Sequence, residues 1–285
     1  MNAKDLYQKL ETDFELEKCQ DDWSNVEFDP KFVTENFRRR YMGILADNTD
    51  EITKTYTAVF PSEKIMQELL EKREQNILLF THHPVDWKIK KSQSPFVNLN
   101  GDLLQKFKEN KISIYTMHTP LDRNGEYSTS VNFAKALGLD QMDEFAEYFG
   151  FLSGVIGKTD CKNISELVEV FKNAVGHEVK IWNYGESEIK DGKVAMVAGG
   201  GCDNEILSEI ARLGINTFLT GVTFHNNYEP SIEAHKIAKE NKINMIGGTH
   251  YSTEKFACIK MTEYFENIGL ESEFIEGEPD MRDLG

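Results

Sequence analysis

Histidines recur directly after short apolar runs in this chain. His82 and His83 follow the run NILLF, and His118 follows ISIYT. His225 comes after NTFLTG, and His250 comes after INMIGG. Neutral imidazole is a common ligand of divalent transition metals and transfers protons near neutral pH. The spacing therefore predicts metal binding or acid–base chemistry.

Carboxylates accompany two of these histidines. Asp122 lies four residues after His118, and Glu254 lies four residues after His250. Four residues are about one helical turn, so each pair can face one target. Taken alone, the first pair fits a stabilised turn and the second fits an exposed helical pair. Their shared position at strand ends favours metal binding, because ligands of open α/β sheets bind beyond the carboxyl ends of the strands.

The paired histidines need a change of chain direction to act together. Inside a strand, His82 and His83 would point to opposite faces. Pro84 keeps His83 out of the α region, and a turn at the strand end lets both rings face one crevice. The candidate ligands with nitrogen and oxygen donors number five, whereas one tetrahedral ion takes four. This surplus favours two ions bridged by a carboxylate. The candidate ligands are His82, His83, Asp122, His250 and Glu254.

Short apolar strands alternate with amphipathic helices, which predicts an α/β fold with mostly parallel sheets flanked by helices. Residues up to about 50 are predicted to be helical. Looser patterning at about 140–190 predicts two lobes, a first at 1–135 with the HHP and HTPLD motifs and a second at 136–285 with a glycine turn. The segment from about 246 to 285 is predicted to return HYSTE to a shared metal site.

Several residues have more than one interpretation. The turn from Gly199 to Gly201 can direct amides at an anion, or it can be a tight connection capped by Asp203. Cys202 can be a nucleophile with His225 as its base, although a buried apolar role is favoured. Ser252 or Thr253 is expected to cap the helix of Glu254.

The basic stretch DWKIKK follows the paired histidines. Lys88, Lys90 and Lys91 can receive a phosphate or carboxylate, or they can form a solvated loop. Trp87 can stack on a planar substrate or pack internally. The sequence leaves both alternatives open.

Composition excludes some classes of protein. The 285 residues carry a formal net charge of -16, which argues against general nucleic-acid binding. No apolar run is long enough for a membrane span, and the charged amphipathic start does not resemble a signal peptide. The four cysteines are scattered and predict reduced thiols rather than disulfides or a thiolate zinc site. We therefore expect a cytoplasmic protein that does not bind membranes.

Taken in order, THHPVDW, HTPLD, AGGGCDNE, LTGVTFHN and GGTHYSTE resemble the Nif-three-like dinuclear metal-binding family, also called type 2 GTP cyclohydrolase I homologues. The resemblance runs from about residue 35 to 268. It implies two-lobed α/β protomers assembled into a hexameric ring, with metal sites facing an inner cavity.

The same resemblance implies that the five candidate ligands named above bind the metals. His118 then belongs in the second shell or contacts substrate, and His225 lies near the metals. The family often has an acidic residue directly after Thr-Gly. Val222 stands there in this chain and removes that acid–base group.

The leading functional hypothesis is a hydrolase that uses two divalent ions (Zn, Fe, Mn, Co or Ni) to activate water. His118 or His225 would act as general acid or base, or orient the substrate. The expected substrate is a nucleotide-like or phosphorylated small molecule. A GTP cyclohydrolase-like reaction, with GTP as the substrate, is one case of this hypothesis. The alternative is a non-catalytic metal-binding regulatory or scaffold protein that binds other proteins. A third hypothesis makes Cys202 the nucleophile.

Overall fold

The computed structural model describes residues 1–89, 94–225 and 229–285. The helices are α1 (Ala3–Asp13), α2 (Glu35–Arg40), α3 (Glu63–Lys72), α4 (Gly101–Glu109), α5 (Thr119–Asp122), α6 (Thr129–Ala136), α7 (Ile164–Val175), α8 (Asn204–Arg212), α9 (Glu229–Glu240) and α10 (His250–Asn267). The strands are β1 (Gly43–Ala46), β2 (Lys54–Ala58), β3 (Ile77–Thr81), β4 (Asp86–Trp87), β5 (Phe96–Val97), β6 (Ile112–Thr116), β7 (Asp140–Tyr148), β8 (Phe151–Lys158), β9 (Lys180–Trp182), β10 (Lys193–Val197), β11 (Thr217–Thr220), β12 (Asn244–Gly247) and β13 (Glu271–Phe274). Three short 3₁₀ segments complete the described structure, at Leu16–Lys18, Lys190–Gly192 and Met281–Leu284.

The chain divides into two compact units. Unit 1 contains Met1–Leu121 and Cys258–Glu278, and unit 2 contains Asp122–Ala257 and Pro279–Gly285. The sequence prediction placed the division after residue 135 and kept 258–278 in the second lobe. The difference arises because β13 pairs with β2, which brings a late segment into the first sheet.

Unit 1 is built on a five-stranded sheet in the order β1-β6-β3-β2-β13. All neighbours pair in parallel except β1, which runs antiparallel to β6. Leu79 and Ile114 of the central strands share a core with Leu69 of α3 and Phe107 of α4. Strands buried in this way need a continuous apolar sequence, and NILLF and ISIYT supply it.

Unit 2 contains a six-stranded sheet in the order β7-β8-β10-β11-β12-β9. Strands β10, β11 and β12 are parallel, and antiparallel strands flank them. Separate cores include Phe171 of α7 and Leu207 of α8, and helices α6 to α9 contribute to them. The predicted α/β class is therefore confirmed, with parallel pairing at the centre of each sheet.

The sequence analysis misassigned or missed several strands, among them β1, β7 and β13. Gly43–Ala46 was predicted as helix but forms β1, because α2 ends at Arg40 and Gly43 has a φ of +91°. The strands β7 and β13 have many charged, exposed positions, so their apolar pattern is weak.

Within the described residues, no helix has the length and apolar character required to cross a bilayer.

Candidate metal centre

Two parallel strands bring three histidines of unit 1 together. Thr81 at the end of β3 is the register partner of Thr116 at the end of β6. His82 and His83 follow the first strand, and His118 follows the second. Potential ligand atoms of these three histidines all lie within 4.8 Å of one another. The parallel register of β3 and β6 therefore brings these three histidines together at one edge of the sheet.

The backbone fixes the orientation of His82. Its Nδ1 lies 3.1 Å from the carbonyl oxygen of Met117. Because a carbonyl can only accept, Nδ1–H is the donor and Nε2 of the neutral ring retains a lone pair. His82 is fully buried, so this nitrogen is held in a nearly dry environment. Such an arrangement is typical of metal-binding histidines, whose second nitrogen donates to a carbonyl or carboxylate.

Aromatic side chains surround His83. The Phe60 ring stacks on it at 4.5 Å with an interplanar angle of 15°. Trp23 packs edge-on against His83 at 5.9 Å and against His118 at 5.1 Å. These contacts limit the movement of the imidazole rings. Trp23 lies about sixty residues ahead of the HHP motif, and its role was not found from the sequence.

The aromatic and basic residues after the paired histidines have internal partners. Trp87 packs edge-on against Phe96 at 5.3 Å, as expected for the packing alternative. Lys88 Nζ lies 3.0 Å from Oδ2 of the buried Asp86. Lys90 and Lys91, the rest of the predicted basic strip, lie outside the described residues.

In unit 2, three parallel strands end side by side. Val197 of β10, Thr220 of β11 and Gly247 of β12 are aligned in register. The glycine turn, the LTGVTFH segment and the start of α10 therefore leave the sheet at one edge. This explains how Gly199 comes to lie beside Glu254 although the two are far apart in sequence.

His250 and Glu254 form a buried pair in the first turns of α10. Their Nε2 and Oε1 atoms are 3.0 Å apart, and the residues are 5% and 3% exposed. Two ligands about 2.1 Å from one ion, at right angles, lie about 3 Å apart. The 3.0 Å distance is that of a hydrogen bond, and the two atoms are also close enough to bind one divalent cation together. The i, i+4 spacing predicted this geometry.

Gly199 provides the space for the Glu254 carboxylate. A Cβ at Gly199 would lie 3.0 Å from Glu254 Cδ and 3.1 Å from His250 Cδ2, and closer still to the carboxylate oxygen. The φ of Gly199 is +71°, a conformation that favours glycine. The glycine turn therefore accommodates two candidate ligands.

Two amides of this turn, those of Gly199 and Gly201, donate to side chains of the protein itself. Gly199 N donates to Thr253 Oγ1 at 2.9 Å, and Gly201 N donates to Thr220 Oγ1 at 3.1 Å. Asp203 caps α8 by accepting from Glu205 N at 2.8 Å. These bonds favour the tight-connection interpretation over the anion site.

Asp122 ends α5, the short helix that follows His118. Its Oδ1 accepts a hydrogen bond from Thr129 Oγ1 at 3.1 Å, which orients the carboxylate. Leu121 N donates to His118 O at 3.0 Å and closes the turn between the two motif residues. The helical turn predicted by the HTPLD spacing is present.

His225 is exposed and lies in an aromatic cluster. Its ring centroid is 4.9 Å from His235 and 6.4 Å from Trp182. His235 accepts from Tyr184 OH at 2.9 Å and donates to Thr223 O at 3.0 Å. Burial lowers the pKa of His235, so its ring is neutral near pH 7. His235, on α9, is therefore a buried part of this network.

Cys202 lies in an apolar core of unit 2, with its Sγ 3.9 Å from Ser231 Oγ. Burial raises the pKa of the Cys202 thiol to about 11. At neutral pH only roughly one thiol in 10⁴ would then be ionised. This favours the structural role over the nucleophile hypothesis.

We expect iodoacetamide to alkylate Cys202 much more slowly than the half-exposed Cys161 in the folded protein at pH 7. The expected rate for Cys202 increases steeply as pH rises toward 11, because the thiolate is the reactive form. Mass spectrometry of time-resolved digests measures both rates. Equal rates at pH 7 would show that Cys202 is an activated thiol.

Thr249, directly before His250, has a φ of +65°. This left-handed conformation is strained for a β-branched residue. The side chain is held by donation to Ser252 Oγ at 2.9 Å and by acceptance from Ser252 N at 3.3 Å. Thr249 therefore caps α10, and the predicted cap at Ser252 or Thr253 is wrong. Strain of this kind is concentrated at functional sites.

Replacing Thr249 with valine is expected to lower the free energy of unfolding by about 1–3 kcal/mol, because the strain stays and both hydrogen bonds are lost. Glycine at the same position should cost less, since it adopts this φ without strain. Urea unfolding of the two metal-free variants tests the order. A glycine variant less stable than the valine variant would rule out strain at this residue.

Asp283 is a further site residue that sequence analysis did not find. It is fully buried, and its Oδ2 accepts from His250 N at 2.8 Å. Its carbonyl oxygen accepts from Thr223 N at 2.9 Å. Asp283 therefore fixes both the start of α10 and the segment that leads to His225. No motif spacing connects Asp283 to these residues, so only the folded chain reveals it.

The structure is that of an α/β protein with groups of buried histidine and glutamate side chains that could hold a metal ion. The sequence model of DUF34/NIF3 (NGG1p interacting factor 3) matches residues 35–280. The chain therefore belongs to this family, as the motifs predicted.

Similar proteins span nearly the same length. A Borreliella burgdorferi protein named "GTP cyclohydrolase 1 type 2 homolog" is 28% identical over 276 residues, which are 96% of this chain and 98% of the relative. An Archaeoglobus fulgidus protein of the same name is 28% identical over 240 residues, covering 82% of this chain and 88% of the relative. The crystal structure of TTHA1606 from Thermus thermophilus covers 99% of this chain and 100% of its own, with a TM-score of 0.72 and 18% identity. That structural similarity shows the fold alone.

Proposed function

We propose that this protein is a dinuclear metal-dependent hydrolase acting on a nucleotide-like or phosphorylated small molecule. The observation that carries the proposal is the cluster of three imidazoles, from His82, His83 and His118, at the end of the first sheet. The second support is the buried His250–Glu254 pair, for which Gly199 leaves space because it has no side chain.

The proposed ligand set consists of the five side chains predicted from the sequence. His82 and His83 supply imidazole nitrogens, Glu254 and Asp122 supply carboxylate oxygens, and His250 completes the set. Such mixed ligands suit Zn, Fe, Mn, Co or Ni. We propose that these five side chains share two ions, because five donors are too many for one tetrahedral ion.

Bound divalent cations would supply Lewis acidity and lower the pKa of a coordinated water. The chain's own residues orient and hold the ligands. The Met117 carbonyl fixes the His82 tautomer, Thr129 orients Asp122, and Gly199 leaves room for Glu254. Ligands held in advance in this way lose little entropy when a cation binds.

Hydrolysis adds one water across a bond of the substrate. The water oxygen bonds to carbon or phosphorus, the bond to a leaving nitrogen or oxygen breaks, and the leaving atom takes a proton. We propose that Nε2 of His118 holds that proton between the two steps. His225, exposed beside His235, is proposed to orient the substrate or exchange a proton.

The names of the Borreliella and Archaeoglobus relatives support a nucleotide as the class of substrate to test first. We further propose a cytoplasmic homohexameric ring that does not bind nucleic acid in general. The net charge of -16 supports the last point through repulsion of phosphates. Light scattering after size-exclusion chromatography tests the assembly, and a monomer would contradict it.

Elemental analysis of the purified protein, followed by reloading with Mn, Fe, Co, Ni or Zn, tests the function. We expect two ions per chain and metal-dependent turnover of GTP, other nucleotides or phosphoesters. The matched pair is Glu254→Gln, which should lose turnover, and Glu263→Gln on the same helix, which should retain it. Two bound ions without turnover on any class would favour the non-catalytic regulatory or scaffold role.

A further inference from the structure

A buried carboxylate contacts the histidine proposed to transfer protons. The Nδ1 atom of His118 lies 3.1 Å from Oδ2 and 3.3 Å from Oδ1 of Asp21. The Asp21 side chain is 2% exposed, and that of His118 is 12% exposed. The two residues are 97 positions apart in the sequence. Solvent competes weakly for this hydrogen bond, so it should be strong.

The carboxylate determines which nitrogen of the neutral imidazole carries the proton. An ionised carboxylate only accepts, so Nδ1–H of His118 is the donor. The lone pair of the neutral ring is then on Nε2. A free neutral imidazole side chain favours the opposite tautomer, with its proton on Nε2. The contact with Asp21 therefore reverses the intrinsic preference.

Neighbouring rings reinforce this arrangement. Trp23, two residues after Asp21, packs edge-on against His118 at 5.1 Å with an interplanar angle of 70°. The ring of His118 lies 5.0 Å from that of His82 and 4.8 Å from that of His83. His82 has the same tautomer, imposed by the Met117 carbonyl. Two histidines of the cluster thus present Nε2 lone pairs for the same structural reason.

We propose that Asp21 is a positioning residue that holds neutral His118 as the Nδ1–H tautomer, which places the lone pair of the ring on Nε2. This deepens the proposed function and rests on it for the use of that lone pair. The tautomer itself is a property of the metal-free chain, so it can be tested without metal or turnover.

The test is ¹⁵N NMR of histidine-labelled, metal-free full-length protein at a pH above the ordinary imidazole range. A His118→Gln spectrum assigns the His118 signals. We expect a protonated Nδ1 and an unprotonated Nε2 in the wild type. Asp21→Ala should shift His118 toward the Nε2–H tautomer. The control is Asp22→Ala, since exposed Asp22 accepts from Ser24 N at 2.9 Å within its own loop; this variant should leave the tautomer unchanged.

Three results would overturn the proposal: Nε2–H in the wild type, protonation of both nitrogens at that pH, or the same tautomer after Asp21→Ala. The wild-type spectrum decides the first two even where Asp21→Ala perturbs folding. Zinc titration of the same wild-type sample gives a separate readout, namely whether the chain binds metal. The Nδ1–H tautomer in a chain that binds no metal would support the positioning role and contradict the proposed function.

Discussion

Replacing Glu254 with glutamine is expected to weaken Zn²⁺ or Mn²⁺ binding at least about 100-fold, because loss of a partner outside the ligand set already costs 10–100-fold. Glutamine keeps the size and one oxygen of the side chain but removes its negative charge. Glu254 is 3% exposed, so little solvent replaces the lost attraction for a cation. Competition with a chromogenic chelator measures the affinity, and elemental analysis measures the stoichiometry.

The control for this experiment is Glu263→Gln, also on α10. The Glu263 side chain is 56% exposed and pairs with Lys260 at the surface. Its substitution changes the net charge equally and should leave metal affinity within a factor of about two, since surface ion pairs contribute little. Equal metal binding by wild type and Glu254→Gln, with both folded by circular dichroism, would remove Glu254 from the ligand set.

Gly199→Ala is expected to damage stability and metal binding together. The left-handed φ of +71° makes alanine unfavourable, at a cost of about 1–3 kcal/mol in the free energy of unfolding. The new methyl group would also overlap Glu254 Oε1 and approach His250 Cδ2. Displacing both side chains should weaken metal affinity by about 10–100-fold. Urea unfolding of the metal-free protein and chelator competition measure the two effects.

The adjacent Gly200 supplies a matched control. A Cβ built at Gly200 meets no other described atom within 4 Å. Gly200→Ala should therefore change the free energy of unfolding by less than about 0.5 kcal/mol and leave metal affinity unchanged. If the two alanine variants behaved alike, neither the φ of Gly199 nor its close approach to Glu254 and His250 would explain a need for glycine at position 199.

The sequence alone determined the family, the α/β class and the residues most suited to bind metal. Apolar runs followed by histidine mark the ends of buried strands, and i, i+4 spacing predicts one helical face. These are local signals, so one stretch of chain is enough to detect them. His82, His83, His250 and Glu254 were all identified in this way. The charged, exposed strand β7 gave no such signal.

Only the tertiary structure decided how the strand ends meet and which residues contact the candidate ligands. The register of Thr81 with Thr116 brings His118 to His82 and His83. Asp21 contacts His118, and Asp283 contacts the backbone of His250. Hydrogen bonds between residues far apart in sequence leave no periodic pattern, because they depend on chain crossings rather than on local conformation. The sequence therefore specified candidate ligands, and the fold specified the groups that orient them.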